Sequence, residues 1–442
     1  MVHDRTFGSV IKNRSFFTLW MAQILSQTAQ NGIHFVQIVL IETLTGSTMH
    51  MALMILSFSL PAVVLSSVAG IAVDRLSNKM VMLGSNAVRV LTVATYVVVL
   101  DRLGGWSLLI VIYAVTFISS AIGQFFAPAE ATTIPLLVGE ERLLTANALF
   151  NLTLVATQVA GLVIVAPLTV KLLGIKGAFG TVAVMYLAAS ILLSRLPRDK
   201  PRLVAEAGVS MLKTVWDELR EGWRYVASKR SIIVALSQLT MTTTLLMMMA
   251  MVAPGYATRV MGMLPEDAFF VFAPAGVGML ANTFLVGRFG YRFRRELMST
   301  VGFSAMVLTL LGFGLAGFDL PIWQIIGKLP AIMLLSLTLG AEISLVVIPA
   351  ETLLQEKSPP QLRGRVIAVY FLLANVVAIP IMLFVGTLAD QVGIPWVIMG
   401  VALLLMVIAS ATAFQAIRYR DVEGGLLGAE GAIEYHVRVE DE

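Results

Sequence analysis

Long apolar runs dominate this sequence from beginning to end. Stretches of about 18 or more apolar residues with almost no charge recur along the chain, each long enough to cross a hydrocarbon core of roughly 30 Å as an α-helix. A closed β-barrel would need alternating strands of about ten residues, whereas these runs are continuous. We therefore predict twelve transmembrane helices, at residues 16–40, 49–73, 80–100, 105–127, 144–170, 177–194, 231–257, 267–289, 297–317, 326–350, 365–389 and 394–416.

The composition agrees with a chain that lies mostly in a bilayer. Hydrophobic residues make up 58% of the 442 residues and charged residues only 13%, which is too little polar surface to cover a water-soluble globule of this size. The first apolar run is longer than a signal-peptide core and has no small-residue cleavage site, so we expect it to be retained as the first helix. The absence of cysteine excludes disulfides and thiolate metal ligands.

Basic residues fall unevenly on the two sides of the predicted helices. With the N-terminus in the cytoplasm, 25 of the 31 lysines and arginines lie on the cytoplasmic side, and Arg89 lies within a span. The positive-inside rule therefore predicts an integral protein of the cell (inner) membrane with both termini cytoplasmic. The formal net charge of +4 follows from this orientation and gives no reason to expect a nucleic-acid partner.

A repeated tripeptide indicates that the chain is duplicated. Pro128-Ala129-Glu130 and Pro349-Ala350-Glu351 each close an apolar run, 221 positions apart, and the loops at 70–80 and 287–297 are related by a similar offset of 217. These offsets superpose predicted helices 1 to 6 on helices 7 to 12. Many secondary transporters are built from such repeats, with the binding site at the interface of the halves.

The predicted fold class is therefore an all-α membrane protein, with twelve transmembrane helices in two six-helix pseudo-repeated halves around a central cavity. Between residues 210 and 230, apolar positions on one helical face with basic residues around them predict an amphipathic helix on the inner leaflet. The predicted segments are an N-terminal half at 1–194, a cytoplasmic linker with this helix at 195–230, a C-terminal half at 231–416 and a cytoplasmic tail at 417–442.

The loop after the second predicted helix carries a recognisable motif. The stretch Gly70-Ile71-Ala72-Val73-Asp74-Arg75-Leu76-Ser77-Asn78-Lys79 resembles the cytoplasmic loop signature of the major facilitator superfamily. Further stretches resemble the branch of macrolide-efflux proteins, siderophore exporters and lysophospholipid transporters: NRSFFTLWMAQILS at 13–26, TGS at 45–47, PAEATTIPLLVGEERLLTANAL at 128–149 and QEKSPPQLRGRVIA at 355–368. The resemblance spans essentially the whole chain, and it leaves the substrate open because this fold carries many substrate classes.

In the superfamily this loop acts as a latch between the halves, so the resemblance implies a gating role for Gly70, Asp74, Arg75 and Lys79. Gly70 would allow close helix approach, Asp74 would lie near the positive end of a helix, and the two basic residues would pair with carboxylates. An ordinary basic interfacial loop is the alternative. In the second copy Tyr291 stands at the aspartate position, so we expect a weaker latch there, with the neighbouring arginines facing lipid headgroups.

The resemblance also implies that predicted helices 1, 4, 7 and 10 line the cavity, and each carries polar residues at helical spacing. Polar groups inside a bilayer should face the bundle interior or water, which predicts a wet cavity. Hydrogen bonding between helices without a cavity is the alternative. The candidate substrate-cavity residues are Gln23, Gln27, Gln30, Asn31, His34, Gln37, Ser120, Gln124, Gln238, Thr242, Thr338 and Glu342.

Two of these residues are candidates for coupling transport to protons. Glu342 is the acidic residue placed deepest in a predicted span, and a carboxyl group there should be protonated much of the time, partnered or functional. A neutral, hydrogen-bonded structural acid is the alternative. His34 is the second titratable group, although a single histidine is more often a packed polar residue than a relay.

Some positions depart from the branch. Relatives tend to carry acids where this chain has Gln30 and Asn86, and the glycine-rich antiporter motif of helix 5 is reduced to Gly161 with an Ala-Pro pair. These departures leave open whether transport is coupled to the counter-movement of protons. Arg89, three residues after Asn86, is interpreted as a buried anchor, with contact to an anion as the alternative.

Together these features predict a secondary active transporter that works by alternating access and exports amphipathic or drug-like small molecules, with proton coupling open. A lysophospholipid or lipid transporter of the same fold and a non-transporting membrane sensor are the alternatives. The sequence carries no phosphate-binding loop, serine nucleophile elbow or histidine pair at metal-ligand spacing, so we expect no enzyme activity, catalytic residue, metal or cofactor. The expected partners are a small amphipathic substrate, membrane lipids and, for a coupled carrier, protons, and the expected state is a monomer.

Overall fold

The computed structural model describes residues 7–407 and 410, except for 75, 140–141, 198, 200–210 and 360–361. In this part of the chain every regular element is a helix. The α-helices are α1 (Phe7–Ile11), α2 (Arg14–Thr45), α3 (Thr48–Asp74), α4 (Asn78–Arg102), α5 (Gly105–Val138), α6 (Leu143–Val159), α7 (Ala166–Ser194), α8 (Met211–Ser228), α9 (Arg230–Arg259), α10 (Ala268–Phe289), α11 (Arg295–Leu315), α12 (Ile322–Ile326), α13 (Lys328–Lys357), α14 (Arg363–Val392) and α15 (Ile394–Val407).

Among the described residues, nine helical segments are long and apolar enough to cross a membrane. The helix α15 is apolar but shorter, and α2 is not among the nine because its glutamines lower its apolar character. The protein is thus an all-helical membrane-spanning chain. The count of twelve spans and their grouping into two six-helix halves stay predictions.

One of the nine segments, Thr145–Ser194, is 50 residues long and is interrupted twice. A π-helical stretch, Ala160–Val165, follows α6, and Gly174 breaks the helical geometry within α7 with φ 70° and ψ 176°. A positive φ of this size is readily adopted only by glycine. Gly174 lies in the gap between the predicted spans 144–170 and 177–194, and its non-helical backbone divides α7 at that point.

The chain forms two compact units. Unit 1 comprises Met1–Gly222, Thr244–Phe269 and Phe371–Gln391, and unit 2 comprises Trp223–Thr243, Phe270–Tyr370 and Val392–Glu442. Because of this division, the C-terminal parts of α9 and α14 belong to unit 1, together with α2 to α7. The predicted boundaries at 194 and 230 are not tested by this division, and the tail at 417–442 lies outside the described residues.

Unit 1 is held together by an apolar cluster and by close helix contacts. Fully buried members of the cluster include Phe16 of α2, Phe126 of α5 and Leu193 of α7. Gly161 of the π-helical stretch lies so near α2 that a Cβ atom there would be 2.6 Å from the Thr28 carbonyl oxygen. Small residues allow membrane helices to approach closely, which is where van der Waals contact stabilises them.

Unit 2 contains a similar close contact between α10 and α13. A Cβ atom added at Gly278 would overlap the Leu337 carbonyl oxygen, and one added at Gly340 would overlap that of Ala275. Both glycines therefore permit backbone approach that no larger residue would allow. The outer surfaces of both units expose large apolar side chains, such as Leu172 and Leu308, as expected for helices that face lipid.

Candidate functional site

A line of hydrogen-bonded side chains runs along α2 inside unit 1. The Tyr186 hydroxyl of α7 donates to Gln30 Oε1 at 2.9 Å, and Gln30 Nε2 contacts His34 Nε2 at 2.9 Å. His34 Nδ1 lies 3.4 Å from Gln37 Oε1, and its ring packs against Phe58 with 4.2 Å between centroids. Since an amide nitrogen can only donate, this arrangement places the imidazole proton on Nδ1, from which it donates to Gln37.

The line continues from α2 to α4 and α5. Gln37 Nε2 donates to the Tyr96 hydroxyl at 2.9 Å and to Thr116 Oγ1 at 3.3 Å. These hydroxyls contact each other and reach the Ile112 carbonyl, while the Tyr96 ring stacks on Phe179 with centroids 4.5 Å apart. The donors thus point in one direction along the chain of contacts, so each buried polar group finds a partner, as a low-dielectric interior requires.

A buried arginine lies next to this line. Arg89 of α4 is 5% exposed, and its Nη1 donates to Asn86 Oδ1 at 3.4 Å. Asn86 in turn donates to Ser26 Oγ of α2 at 2.9 Å. The Arg89 guanidinium also lies over the rings of Phe126 and Tyr186, 5.2 and 5.4 Å from their centroids. Tyr186 therefore connects the cation to the Gln30 end of the hydrogen-bonded line.

Glu130 is a further buried charge-bearing residue in unit 1. Its side chain is fully buried in α5, and no described residue forms a hydrogen bond with either carboxylate oxygen. The Arg89 guanidinium is within electrostatic reach of this carboxyl group. A buried carboxyl group without hydrogen bonds is costly unless a cation compensates it or it binds a proton. We define the polar network as Glu130, Arg89, Asn86, Tyr186, Gln30, His34, Gln37, Tyr96 and Thr116.

The other candidate residues of α2 and α5 lie apart from this network. Gln23 is fully buried, and its Nε2 donates to the Phe150 carbonyl of α6 at 3.4 Å. Asn31 donates to the Gln27 carbonyl on its own helix, and Gln124 donates to the Ser120 carbonyl. The contacts of Gln23, Asn31 and Gln124 match the alternative of hydrogen bonding within and between helices, and they give no evidence of a ligand.

The candidate residues of α9 and α13 lie in unit 2. Thr242 is fully buried and donates to the Gln238 carbonyl at 2.8 Å. Glu342 Oε1 accepts a hydrogen bond from Thr309 Oγ1 of α11 at 2.8 Å, and Thr309 lies 3.5 Å from Thr338 Oγ1. The second oxygen, Oε2, is buried without a hydrogen-bond partner among the described residues. Glu342 therefore contacts α11 through one oxygen, and its role in coupling stays a prediction.

The predicted latch can be followed only in part. Arg75 lies outside the described residues, as does the side chain of Asp74, the last residue of α3, and Gly70 stands four residues earlier on the same helix. The Lys79 ammonium donates to the carbonyls of Ser194 and Leu196 at 2.6 and 2.5 Å. These carbonyls lie at the C-terminal end of α7, where a helix attracts cations. The latch function stays a prediction.

Asp199 holds the beginning of α4 beside this lysine. Its carboxylate accepts hydrogen bonds from Ser77 Oγ at 2.6 Å, from the Asn78 backbone N–H at 2.5 Å and from the Lys79 backbone N–H at 3.3 Å. The first N–H groups of a helix lack hydrogen-bond acceptors within the helix. At the beginning of α4 the carboxylate of Asp199, from elsewhere in the chain, accepts two of these hydrogen bonds.

A second carboxylate caps the beginning of α3 in the same way. The Asp390 carboxylate of α14 accepts hydrogen bonds from Ser47 Oγ at 2.6 Å, the Thr48 backbone N–H at 2.7 Å and the Met49 backbone N–H at 3.0 Å. Gly386, one turn earlier on α14, lies close to the backbone of Thr48 and Met49. An anion is stabilised at this position because the N-terminal end of a helix carries partial positive charge.

Arg259, the last residue of α9, completes this cluster. Its Nη1 lies 3.3 Å from Asp390 Oδ1, and its Nη2 donates to Thr48 Oγ1 at 2.7 Å and lies 3.9 Å from Glu42 Oε2. Glu42 also accepts a hydrogen bond from Thr258 Oγ1 at 2.7 Å. We name this cluster the Asp390 junction: Glu42, Ser47, Thr48, Met49, Thr258, Arg259 and Asp390.

Some residues of the polar network and of the Asp390 junction were not predicted as site residues, although two of them belong to motifs noted in the sequence. Glu130 belongs to the repeated Pro-Ala-Glu tripeptide, but the predicted span ended at 127, before it. Ser47 belongs to the TGS stretch, whereas Arg259 belongs to none of the stretches that carry the resemblance. Which acid meets Arg259 depends on helix packing, so no local pattern could have identified Asp390.

Comparisons with known proteins agree with this architecture. The sequence profile of the Major Facilitator Superfamily matches residues 19–382. The chain is 25% identical to the uncharacterised MFS-type transporter YfiS of Bacillus subtilis (strain 168), over 89% of this chain and 92% of that protein. It is 24% identical to macrolide efflux protein A of Streptococcus pyogenes, over 92% of this chain and 98% of the relative.

A solved structure shows the same fold. A bacterial homologue of the human lysosomal transporter Spinster, in an inward-facing and unoccupied conformation, matches with a TM-score of 0.70. The match covers 91% of this chain and 96% of that one, at 13% sequence identity. At such low identity the likeness establishes the fold and leaves the substrate open.

Proposed function

This chain belongs to the major facilitator superfamily, and from that membership we propose that it is an exporter of amphipathic, drug-like small molecules that works by alternating access. The fold proposed for it is twelve spans in two six-helix halves, in the cell (inner) membrane with both termini cytoplasmic. The substrate class rests on its similarity to macrolide efflux protein A over 92% of this chain.

The observation that carries the transport proposal is the polar network among the apolar helices of unit 1. The network spans α2, α4, α5 and α7, and it contains Arg89, His34 and a carboxyl group at Glu130. Ionisable groups inside the membrane are costly and commonly mark substrate or ion pathways. Replacement of buried ionic groups by well-packed apolar residues is often neutral or stabilising, so stability alone gives little reason for these groups to be present.

The Asp390 junction supports alternating access. With the proposed orientation it lies on the outer side, where it joins the beginning of α3 to the ends of α9 and α14 through one arginine and two carboxylates. The partly exposed ion pair of Arg259 and Asp390 should contribute little net stability, which suits contacts that break and re-form. The junction is therefore proposed as an outer gate that is closed in this structure.

The candidate cavity residues suit an uncharged or weakly cationic substrate. Those of α2 and α5 offer amides and hydroxyls, and α9 adds a run of methionines, of which Met248 and Met249 are buried. Methionine packs around varied shapes, as a multi-substrate carrier requires. Glu342 supplies one carboxyl group, and it is proposed as the site that couples export to protons.

Accumulation of a cationic amphipathic dye and of a labelled macrolide tests the proposal. Cells that express the chain should accumulate less of either compound than cells with the empty vector at matched growth, and a protonophore should abolish the difference. Unchanged accumulation of both compounds would contradict drug export. Flux of a labelled lysophospholipid by purified chain in liposomes would then favour the lipid-transporter alternative, and ligand binding without flux would favour the sensor.

A further inference from the structure

We propose that the ion pair of Lys171 and Asp267 is a second arm of the outer gate in unit 1, and that it breaks and re-forms together with the Asp390 junction. Lys171 lies on α7, and Asp267 ends the short 3₁₀ turn Pro265–Asp267. Their Nζ and Oδ1 atoms are 3.0 Å apart. This inference rests on the outer gate proposed above, and it adds a contact on α7, a helix that the Asp390 junction does not include.

The segment that carries Asp267 is held at both of its ends. At one end Arg259, the last residue of α9, belongs to the Asp390 junction. At the other end Asp267 contacts Lys171, and the 3₁₀ turn packs against α2 as well as α7. We name residues 259–267 the outer connector. A movement of the outer connector away from α2 and α7 would therefore pull on both contacts at once.

A neighbouring lysine on α7 provides an internal comparison. Lys176 forms an ion pair with Asp101 near the end of α4, and α4 packs along α7. Gly174, whose φ of 70° interrupts the helix, separates Lys171 from Lys176, and the two lysines contact different partners on either side of it. One ion pair thus lies within the predicted N-terminal half, whereas the other joins that half to the outer connector.

The different placement of the two ion pairs predicts different behaviour when the outer side opens. In alternating access the two halves of a transporter move relative to each other, so contacts inside one half persist and contacts between the halves break. The pair of Lys176 and Asp101 should therefore stay intact through the cycle. The pair of Lys171 and Asp267 connects the two predicted halves, and it should break in every cycle.

The surroundings of Lys171 and Asp267 favour a contact that can open. The Lys171 side chain is 56% exposed, and it lies shortly before Gly174, where the C-terminal end of a helical segment stabilises a cation. Asp267 directly precedes α10, whose N-terminal end stabilises an anion. Because exposed ion pairs contribute little net stability, this pair biases the gate towards the closed state without holding it shut.

Reaction of a buried cysteine with a maleimide tests the proposal in the purified full chain in detergent. Thr48 is fully buried in the Asp390 junction and the chain has no native cysteine, so Thr48→Cys gives a single thiol that should react only when the gate opens. In this background Lys171→Glu replaces an attraction to Asp267 by a repulsion, and it should raise the labelling rate roughly threefold. Asp267→Lys added to Lys171→Glu should restore the original rate.

Lys176→Glu is the matched control, because it makes the same charge change on the same helix at a side chain that is 50% exposed. It should leave the labelling rate unchanged. The difference in rate between the Thr48→Cys background and its Lys171→Gln variant should shrink at high salt, which screens exposed ion pairs. Equal rates in Lys171→Glu and Lys176→Glu, or an effect of Lys171→Glu that Asp267→Lys does not reverse, would each overturn the proposal.

The labelling assay needs no substrate, so its outcome is independent of the proposed drug export. Unchanged accumulation of the dye and the macrolide, together with a raised labelling rate in Lys171→Glu, would contradict drug export and leave the second arm of the gate in place. Export of either compound without any effect of Lys171→Glu on the labelling rate would overturn the second arm alone.

Discussion

The Arg259 guanidinium lies 3.3 Å from the Asp390 carboxylate, and this contact joins two residues 131 positions apart at the ends of α9 and α14. The same carboxylate caps the beginning of α3. One side chain thus connects three helices in unit 1. In the proposed alternating-access cycle, this contact breaks whenever the proposed outer gate opens.

The first prediction concerns this junction. Met49 Sδ and Thr387 Oγ1 are 3.3 Å apart, and the chain has no native cysteine, so the pair Met49→Cys and Thr387→Cys can be joined by a short thiol cross-linker without background reaction. Cross-linking should stop export, and a reducible linker should restore it after reduction. Each single-cysteine variant treated in the same way is the control. Export that persists at full cross-linking would exclude opening at this junction.

The second prediction concerns the buried charges of the polar network. Because Arg89 and Glu130 are both buried, removal of one leaves the other uncompensated. In a double-mutant cycle of Arg89→Met and Glu130→Gln, we expect the double variant to lose less unfolding free energy than the sum of the single losses, by about 1–3 kcal/mol. Denaturant unfolding in detergent micelles measures this, with the exposed Arg102→Met as control on the same helix. Additive losses would show that the two groups are independent.

The third prediction concerns the hydrogen-bonded line on α2. His34→Leu leaves the partly buried Gln30 Nε2 and the buried Gln37 Oε1 without their histidine partner. The unpaired Gln37 oxygen should lower the free energy of unfolding by about 1–3 kcal/mol. Gln27→Leu is the control, since it replaces a glutamine on the same helix whose side chain is outside the line. Equal stability losses in the two variants would contradict the line of contacts described here.

The fourth prediction concerns proton coupling in unit 2. Glu342→Gln keeps an oxygen that can accept the Thr309 hydrogen bond but removes the ability to bind and release a proton. We expect the variant to lose protonophore-sensitive efflux of the dye at matched membrane levels. Glu356→Gln, an exposed acid on the same helix α13, should keep it. Full protonophore-sensitive export by Glu342→Gln would remove this residue from the coupling mechanism, without affecting the proposal of export itself.

The fifth prediction concerns helix packing. Gly340→Ala would place a methyl group on the Ala275 carbonyl oxygen, so α10 and α13 must move apart, at a cost of about 1–3 kcal/mol in unfolding free energy. Gly276→Ala on α10 meets open space and should gain up to about 1 kcal/mol from helix propensity. Thermal unfolding in detergent compares the two. A stabilising Gly340→Ala would contradict the close approach of these helices.

Part of the candidate site followed from the sequence. The spacing of Gln30, His34 and Gln37 predicts a common helical face, and the structure connects these three by hydrogen bonds. Gln23 shares the same spacing but points to α6, because the residues packed against α2 change along its length. Helical periodicity gives the face of a side chain, whereas the neighbouring helix determines its partner.

The sequence by itself determined that this chain spans a membrane as helices and belongs to the major facilitator superfamily. These properties depend on local features, since the bilayer requires long apolar segments and every backbone group must be satisfied within its own helix. Only the tertiary structure decided that Asp390 caps α3, 343 positions from Ser47, and that Glu130 is buried within electrostatic reach of Arg89. The energies of such contacts depend on which helices pack together, and that arrangement is not encoded in any single stretch of residues.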